Sequence, residues 1–222
     1  MTKMIYAVIA AFNEEKNISE VLVGVKKHLP KDHIIVVDDG SSDNTSDVAL
    51  EEGVYVLRNI INLGKGSALK TGCDFALKHD ADIIVVLDAD NQHDPDDIPR
   101  FLEKIKEFDV VFGYRSFNKN MPFVFRIGNM IIKYATKVLY GIDLKDSQCG
   151  YRAYTTNAYK KVRWTVPDYS LESEVIANVG KYKLKYVEIP IETIYNDKYK
   201  GTTMFDGIKI VVNLIIWRLK KW

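Results

Sequence analysis

Two carboxylates and an amide follow directly on one short apolar stretch of the sequence. Asp88, Asp90 and Gln92 come after residues 83–87, an unbroken run of Ile, Val and Leu. Such oxygens form a hard-ligand set that suits Mg²⁺ or Mn²⁺, and the ion would in turn hold a diphosphate. A helix cap is the alternative, since residues 94–96 open a predicted helix, but Asp88 precedes that start by several residues. Because two carboxylates this close repel each other unless they share a cation, the pattern favours a metal site.

Other polar residues in the first half also stand where ligands could bind. Asp39 follows a second apolar run, residues 34–37, and could accept hydrogen bonds from a base or a ribose hydroxyl; a helix N-cap is the alternative. Lys65 lies between two glycines at a predicted helix start, where backbone N–H groups and a cation can meet an anion. The spacing is not that of a Walker A motif, and a turn with glycine at positive φ is the alternative. His93 is interpreted as a polar surface histidine rather than a metal ligand.

The second half offers an arginine and two glutamates as candidate site residues. Arg152 closes a glycine-containing segment, residues 147–152, where its guanidinium either contacts phosphate or is a buried structural group. Glu172 and Glu174 stand at the start of a predicted helix. Either carboxylate could be a general base, and compensation of the helix dipole is the alternative. The spacing alone leaves these alternatives open.

Short apolar runs alternate with helical patterns through the first half of the chain. Five runs predict β-strands, at residues 5–9, 34–37, 54–57, 83–87 and 110–112. Helical patterns lie between and after them, at residues 14–28, 41–52, 65–79 and 99–107. Strands that are apolar throughout and separated by helices indicate an α/β fold, with a mostly parallel sheet flanked by helices. Ligands bind beyond the carboxyl ends of such strands, which is where the polar clusters lie.

The second half is less regular in its pattern. Helices are predicted at residues 123–140, 171–179 and 208–219. Two strand-like stretches, residues 186–189 and 191–195, flank Pro190, and a proline at this position indicates an edge strand or a bulge.

Composition and charge limit the classes of protein to which the chain can belong. Its 222 residues are 47% hydrophobic, which argues against a disordered chain, a collagen-like chain or a small disulfide scaffold. The formal net charge of +1 argues against a strongly basic nucleic-acid binder. Residues 1–112 hold 12 Lys and Arg against 21 Asp and Glu, whereas residues 113–222 hold 19 against 9. The two cysteines suit free thiols in a reducing compartment, and a single disulfide is the alternative.

Taken in order, these motifs resemble those of family 2 glycosyltransferases with a GT-A fold. The resemblance is greatest to dolichyl-phosphate mannose synthases and related polyprenyl-phosphate sugar synthases, and it runs from about residue 4 to about residue 205. No single motif is decisive, but six in the same order are specific. The matching segments are residues 11–15, 38–45, 62–66, 88–95, 113–115 and 149–152.

The resemblance implies a role for residues on both sides of a reaction centre. The nucleoside of the donor would be held by Asp39 and by the backbone near Ala11 and Phe12, with Glu14 and Lys65 close to the donor. The divalent ion on the diphosphate, Mg²⁺ or Mn²⁺, would be held by Asp88, Asp90 and Gln92. The acceptor side would be formed by Arg115, Arg126 and Glu174, and Asp90, Arg115, Arg126 and Glu174 are the expected catalytic residues.

The implied reaction is an inverting sugar transfer to dolichyl or polyprenyl phosphate. The donor would be a nucleotide sugar such as GDP-mannose, UDP-glucose or UDP-N-acetylglucosamine, and the product would serve glycan synthesis or protein glycosylation. A phosphate acceptor is already anionic and needs little general-base help. One alternative is a soluble glycan acceptor, for which Glu172 or Glu174 would become essential. Another is a catalytically inactive homologue that acts as a peripheral membrane scaffold.

The sequence departs from the family pattern at three places, the first of which is Ala10, where the family usually has Pro. Asn91 stands where the family usually has Gly. Near the C-terminus the family tends to show Arg and then Gly-x-Ser-Lys, whereas here Lys198 replaces the arginine and Met204 the lysine. Lys198 or Lys200 would then supply the missing positive charge of that loop.

The C-terminal apolar stretch is expected to be a separate helix after the catalytic domain. We assign residues 1–205 to a GT-A domain and residues 206–222 to an amphipathic, interfacial helix, too short and too interrupted to span a bilayer. A core-packing helix with a basic end is the alternative. The expected location is cytoplasmic and peripheral, on the cytoplasmic face of a membrane. A membrane-protein partner or a homo-oligomer is left open, and no nucleic acid is expected.

Overall fold

One seven-stranded sheet organises the chain in the computed structural model. The structure describes residues 3–115, 123–168, 170–192 and 204–219, and for residues 123–129 and 204–208 it describes the backbone alone. The strands are β1 (Ile5–Ala11), β2 (Ile34–Asp38), β3 (Tyr55–Arg58), β4 (Ile83–Asp88), β5 (Val110–Arg115), β6 (Arg152–Thr155) and β7 (Tyr186–Ile191). Their order across the sheet is β3-β2-β1-β4-β6-β5-β7.

Most neighbouring strands are parallel, as the uniformly apolar runs predicted. β1 pairs in parallel with β2 and β4, β2 with β3, and β5 with β7. The exception is β6, which lies antiparallel between β4 and β5. The register places Ala11 opposite Asp38 and Ala10 opposite Asp88, so that the polar ends of three strands meet at one edge. The predicted α/β fold, with a mostly parallel sheet flanked by helices, is confirmed.

Helices cover both faces of this sheet. They are α1 (Ile18–Lys26), α2 (Thr45–Glu51), α3 (Lys65–Lys78), α4 (Ile98–Lys104), α5 (Phe123–Tyr140), α6 (Thr156–Val162), α7 (Leu171–Lys181) and α8 (Met204–Leu219). α1, α2 and α4 pack on one face, and α3, α6 and α7 pack on the other. Both cysteines are buried free thiols, as predicted.

Two predicted helices begin later than the sequence pattern suggested, because polar turns precede them. Asn13 has a φ of +55°, and the Glu14 carbonyl accepts hydrogen bonds from the N–H groups of Asn17 and Ile18, so the first regular turn of α1 starts at Ile18. α2 starts at Thr45, whose N–H donates to the Asp43 carboxylate at 3.0 Å. Both turns carry side chains toward the carboxyl edge of the sheet.

The region after residue 140 contains elements that the sequence pattern did not predict. β6 and α6 were missed, since residues 152–162 show neither an apolar run nor a clear helical stripe. β7 runs continuously through Pro190, and among the strands that the structure describes it pairs with β5 alone, as predicted for an edge strand. The second predicted stretch, residues 191–195, lies mostly outside the described residues.

α3 approaches the sheet most closely at Gly72. A Cβ atom at this position would lie 2.4 Å from Val8 Cγ1 and 2.9 Å from Val37 Cγ2. Both contacts are with side chains that are fully buried in the sheet. Gly72 therefore sets the distance between α3 and the strands that carry the site.

Gly72→Ala should destabilise the protein although alanine is the better helix former. We expect the free energy of unfolding to fall by about 1–3 kcal/mol, because the added methyl group must displace buried valines. Urea denaturation measures this change, and Thr71→Ala on the exposed face of α3 is the matched control. Val8→Ala in the Gly72→Ala background should recover part of the loss. A Gly72→Ala protein as stable as the parent would contradict the close packing.

α8 packs against α5 and α7 on one side, as the core-packing alternative predicts, and an interfacial role for it stays a prediction. Ile210 and Leu214 are buried against Ile132 of α5 and Ala177 of α7, and the Tyr140 hydroxyl donates to the Leu214 carbonyl at 2.7 Å. The opposite side of α8 remains exposed. No helix in the described ranges is long and apolar enough to cross a membrane. The division of the chain at residue 205 stays a prediction.

Candidate active site at the carboxyl ends of the strands

Lys65, at the start of α3, reaches across to the carboxyl end of β4. Its Nζ lies 2.7 Å from Asp88 Oδ1 and 3.4 Å from Glu172 Oε1. Burial by itself raises the pKa of Asp88, but the neighbouring charges, Lys65 first, outweigh it and lower the pKa to about 2. Burial likewise acts to lower the pKa of Lys65, and Asp88 and Glu172 reverse that shift. The pair is therefore fully charged at neutral pH.

Gly150 closes over this ion pair. A Cβ atom there would lie 2.8 Å from Asp88 Oδ2 and 2.9 Å from Lys65 Nζ. The segment before β6 thus needs a residue without a side chain at this point. This steric requirement explains why the matched segment 149–152 contains a glycine.

Asp90 is the electrostatically strained member of the acidic cluster. Burial, and then the negative charge of Asp88, raise the pKa of Asp90 to about 6. The Asp90 carboxylate accepts one hydrogen bond from the Gln92 N–H at 3.1 Å. Asn91 between them has a φ of +59°, a left-handed conformation that Gly adopts freely and Asn tolerates. This explains why the substitution of Asn for the family's Gly is accommodated.

The cluster fits a divalent cation that is shared with a phosphate ligand. Two repelling carboxylates and one amide remain a partial coordination set, and Mg²⁺ commonly combines one or two carboxylates with substrate phosphates. Within the part of the chain that the structure describes, no three His, Cys, Asp or Glu side chains form a complete metal cage. The assignment of Asp88, Asp90 and Gln92 as ligands stays a prediction.

His93 is buried, and the prediction of a surface histidine is wrong. Only 4% of the residue is exposed, and its ring lies 5.1 Å from the ring of Tyr151. Nδ1 accepts a hydrogen bond from the Asp88 N–H at 3.3 Å. Burial lowers the pKa of His93 to about 4, so the ring is neutral and helps to fix the backbone that carries Asp88.

Asp39 is held by the loop before Lys65, the segment that the sequence analysis considered as an anion-binding site. Its carboxylate accepts hydrogen bonds from Asn59 Nδ2 at 2.7 Å, the Leu63 N–H at 3.0 Å and the Gly64 N–H at 2.7 Å. The N–H groups of Gly66 and Ser67 donate instead to the Pro167 carbonyl. Gly64 has a φ of +94°.

These contacts favour the alternative of a structural turn for residues 62–66. A phosphate bound by this loop would need its backbone N–H groups as donors. Four of these groups already donate to Asp39 or to the Pro167 carbonyl: those of Leu63, Gly64, Gly66 and Ser67. Lys65 contributes to the site through its side chain, which contacts the Asp88 carboxylate. Its role in donor binding stays a prediction.

The remaining predicted donor-side residues lie together where β1 and β2 end. The Ala11 carbonyl accepts from the Asp39 N–H at 2.8 Å. Phe12 is 44% exposed, whereas Glu14 is buried and accepts from Asn17 Nδ2 at 2.6 Å. An exposed aromatic ring beside buried carboxylates could stack on a base, and these roles stay predictions.

Arg115, the last residue of β5, is fixed by a residue that the sequence did not suggest. Its Nε donates to Asp146 Oδ2 at 2.7 Å and its Nη2 donates to Asp146 Oδ1 at 3.1 Å. The Asp146 side chain is fully buried. A bidentate pair of this kind fixes the orientation of the guanidinium. No local pattern marks Asp146, since its role depends on a partner that lies 31 residues away.

The other predicted acceptor-side residues differ in what the structure says about them. The Arg126 side chain lies outside the described residues. Glu174 is buried, and its carboxylate accepts hydrogen bonds from the N–H groups of Thr165 and Val166 and from the Thr165 hydroxyl. These contacts support a structural role, and its catalytic role stays a prediction. Glu172, rather than Glu174, is the glutamate that faces Lys65, the partner of Asp88.

Arg152 is the buried structural arginine that the sequence left as an alternative to a phosphate contact. It is 1% exposed, and its guanidinium donates to the carbonyls of Cys149, Ser147 and Glu172. It thereby ties the start of α7 to the segment that covers Asp88.

Comparisons with known proteins identify the family to which the chain belongs. The sequence profile described as Glycosyl transferase family 2 matches residues 6–163. The chain is 36% identical to a UDP-N-acetylglucosamine–dolichyl-phosphate N-acetylglucosaminyltransferase of Methanococcus voltae, over 99% of this chain and 98% of that protein. It is 27% identical to an undecaprenyl-phosphate mannosyltransferase of Micrococcus luteus, over 97% of this chain and 94% of that protein.

A solved structure shows the same fold at low sequence identity. Glucosyl-3-phosphoglycerate synthase from Mycobacterium tuberculosis, a GT-A enzyme crystallised with phosphoglyceric acid, superimposes with a TM-score of 0.79. The two sequences are 17% identical, and the match covers 96% of this chain and 79% of that one. Profile, relatives and fold agree, and the chain belongs to glycosyl transferase family 2.

Proposed function

We propose that this glycosyltransferase moves a sugar from a nucleotide-activated donor to a polyprenyl phosphate such as dolichyl phosphate. The observation that carries the proposal is Arg115, held in a fixed orientation by Asp146 at the edge of the sheet where the carboxylates of Asp88 and Asp90 lie. An oriented guanidinium suits a phosphate-bearing acceptor. The names of the relatives, which act on dolichyl and undecaprenyl phosphate, support the same class of acceptor.

On the donor side, the acidic cluster would hold the diphosphate through a divalent cation. Asp88, Asp90 and Gln92 would bind Mg²⁺ or Mn²⁺. Glucosyl-3-phosphoglycerate synthase, which has the same fold, was crystallised with UDP and each of these ions. When bound, the ion would stabilise negative charge on the departing nucleoside diphosphate. Asp39 and Phe12 would contact the nucleoside.

On the acceptor side, the chain's own task is to orient an anion beside an anionic donor. Arg115 would bind the acceptor phosphate and direct one oxygen at the anomeric carbon. The new carbon–oxygen bond forms as the bond to the diphosphate breaks, and the diphosphate leaves with the electron pair. This displacement inverts the anomeric configuration. Because the attacking oxygen already carries negative charge, no proton has to be removed.

A donor and acceptor panel tests the proposal directly. Purified protein with Mn²⁺ or Mg²⁺ would be incubated with UDP-N-acetylglucosamine, UDP-glucose or GDP-mannose, each with a polyprenyl phosphate, with 3-phosphoglycerate or with a soluble glycan. We expect a lipid-linked sugar with at least one donor and no product with the other acceptors. Transfer to a soluble acceptor alone would establish the alternative function, and no transfer at all would favour an inactive homologue.

We further propose that α5 and α8 dock the enzyme peripherally on the cytoplasmic face of an anionic membrane. Each helix exposes apolar side chains that fall on one side at helical spacing. On α5 these are Met130, Ile131, Tyr134 and Val138, and on α8 they are Val212, Ile215, Ile216 and Leu219. Lys133, Lys137 and Arg218 lie on the same helices, in the basic half of the chain. Apolar faces with basic neighbours are typical of interfacial helices.

A negative charge introduced on the apolar side of either helix should release the protein from lipid vesicles. Val138→Glu and Ile215→Glu are each expected to weaken binding to phosphatidylcholine–phosphatidylglycerol vesicles by about tenfold, since each removes one apolar side chain from the contact. Vesicle sedimentation measures the bound fraction. Leu50→Glu on α2 is the matched control, because Leu50 is 56% exposed outside this surface. Point variants are preferred to deletion of α8, which would also remove Ile210 and Leu214 from the core. Equal binding by all three variants would contradict the docking surface.

A further inference from the structure

One buried carboxylate beside the candidate metal site is only half satisfied. Glu172 is 2% exposed, and its Oε2 has no hydrogen-bond partner among the described residues. Its Oε1 faces Lys65 Nζ at 3.4 Å, which is longer than the 2.7 Å from the same Nζ to Asp88. A buried carboxylate oxygen without a donor is costly and calls for an explanation.

Lys65 is placed between two anions that compete for it. Gly150 closes the side next to Asp88 and Nζ, which leaves little room for an additional group there. An ammonium on a flexible four-carbon stem has three donors and can redistribute them between two carboxylates. In the structure, Lys65 lies closer to Asp88.

A divalent cation on Asp88 would reverse this preference. The ion would repel the ammonium and draw on the same carboxylate charge, whereas Glu172 would remain an uncompensated anion nearby. A movement of about 1 Å toward Glu172 would convert the longer contact into a full ion pair. The oxygen without a partner would then lie beside a donor.

We propose that Lys65 neutralises Asp88 in the metal-free enzyme and passes to Glu172 when the divalent cation binds. This inference rests on the proposed function, since it takes Asp88 as a metal ligand. Lys65 is then a competitor of the metal, and Glu172 is a positioning residue that accepts the displaced ammonium. Metal affinity depends on both residues, although neither touches the ion.

A double-mutant cycle on metal binding tests the proposal without using activity. Water-proton relaxation would measure the affinity of Mn²⁺ alone for the full chain and for Lys65→Met, Glu172→Gln and the double variant. We expect Lys65→Met to tighten Mn²⁺ binding and Glu172→Gln to weaken it, each by about tenfold. The double variant should bind like Lys65→Met, because without the lysine Glu172 has nothing to accept. Lys78→Met on the exposed end of α3 is the control for loss of one positive charge.

The outcomes separate this inference from the function on which it rests. Weaker Mn²⁺ binding by Lys65→Met, or the same Glu172→Gln effect with and without Lys65, would overturn the exchange. If the parent protein binds no Mn²⁺, the metal site itself is wrong. Should Lys65→Met fail to fold, Glu172→Asp offers a second measurement: it keeps the acceptor charge and should restore most of the affinity lost in Glu172→Gln. Equal loss in both variants would contradict the proposal.

Discussion

Asp90→Asn is expected to lower kcat/KM by about a thousandfold at saturating donor, the largest effect of any single substitution considered for this chain. The change keeps the size of the side chain and removes the charge that would bind the divalent ion at the diphosphate. Turnover with a polyprenyl phosphate, and Mn²⁺-dependent UDP binding by calorimetry, measure the two consequences. Asp94→Asn is the matched control, since Asp94 caps the next turn by accepting from the Asp96 N–H at 2.9 Å. Unchanged UDP binding by Asp90→Asn in Mn²⁺ would exclude Asp90 as a ligand.

Although Asp90→Asn should lower activity, it should raise the stability of the folded protein when no metal is present. Burial and the charge of Asp88 raise the pKa of Asp90 to about 6, so the ionised side chain destabilises the folded state above that pH. In a chelator at pH 8, Asp90→Asn should therefore melt at a higher temperature than the parent. The difference should shrink as the pH falls from 6 toward 4, where the parent carboxyl group becomes protonated. A lower melting temperature at pH 8 would contradict the repulsion between the two carboxylates.

Arg115→Lys is expected to lower kcat/KM for the lipid phosphate by about a hundredfold while leaving UDP binding unchanged. Lysine keeps the charge but loses the planar fork that Asp146 holds by two hydrogen bonds, at 2.7 and 3.1 Å. Steady-state kinetics with varied acceptor, and separate calorimetry with UDP and Mn²⁺, distinguish the two substrates. Equal losses for donor and acceptor would argue against a role on the acceptor side.

Asp146→Asn tests whether the orientation of Arg115 matters in addition to its charge. We expect about a tenfold loss in acceptor kcat/KM, since asparagine leaves one of the two guanidinium contacts without an acceptor. In the Arg115→Lys background the same change should cost much less, because the fork is already gone. Additive losses would mean that Asp146 acts through general stability, which a melting curve of each variant would reveal.

The parts of the fold that could be predicted are those whose local sequence pattern indicates both the secondary structure and the faces that are buried. Residues 34–37 and 83–87 are apolar at every position, which suits strands buried on both faces, and each became the body of a strand that pairs in parallel with β1. α5 was predicted with its observed bounds, Phe123–Tyr140. The acidic residues that follow the strands could be placed at one edge from topology alone.

What could not be predicted depends on partners that are distant in sequence. β6 contains Arg152 and Thr155 and has no apolar run, and only its pairing with β4 and β5 makes it a strand. Asp146 looks like an ordinary loop residue until Arg115 reaches it from β5. His93 stands among polar neighbours in the sequence, but Tyr151 covers it in the structure.

The position of β6 also has a consequence for the order in which the enzyme can be assembled. β5, which carries Arg115, pairs with β6 and β7, and both of these strands are synthesised after it. A nascent chain that has left the ribosome only as far as residue 115 can join β3, β2, β1 and β4, but β5 has no neighbour yet. These four strands can therefore pair before β5 joins them, and β4 then has one open strand edge. β6 closes that edge once residues 152–155 have been synthesised, and only then can β5, with Arg115, join the sheet.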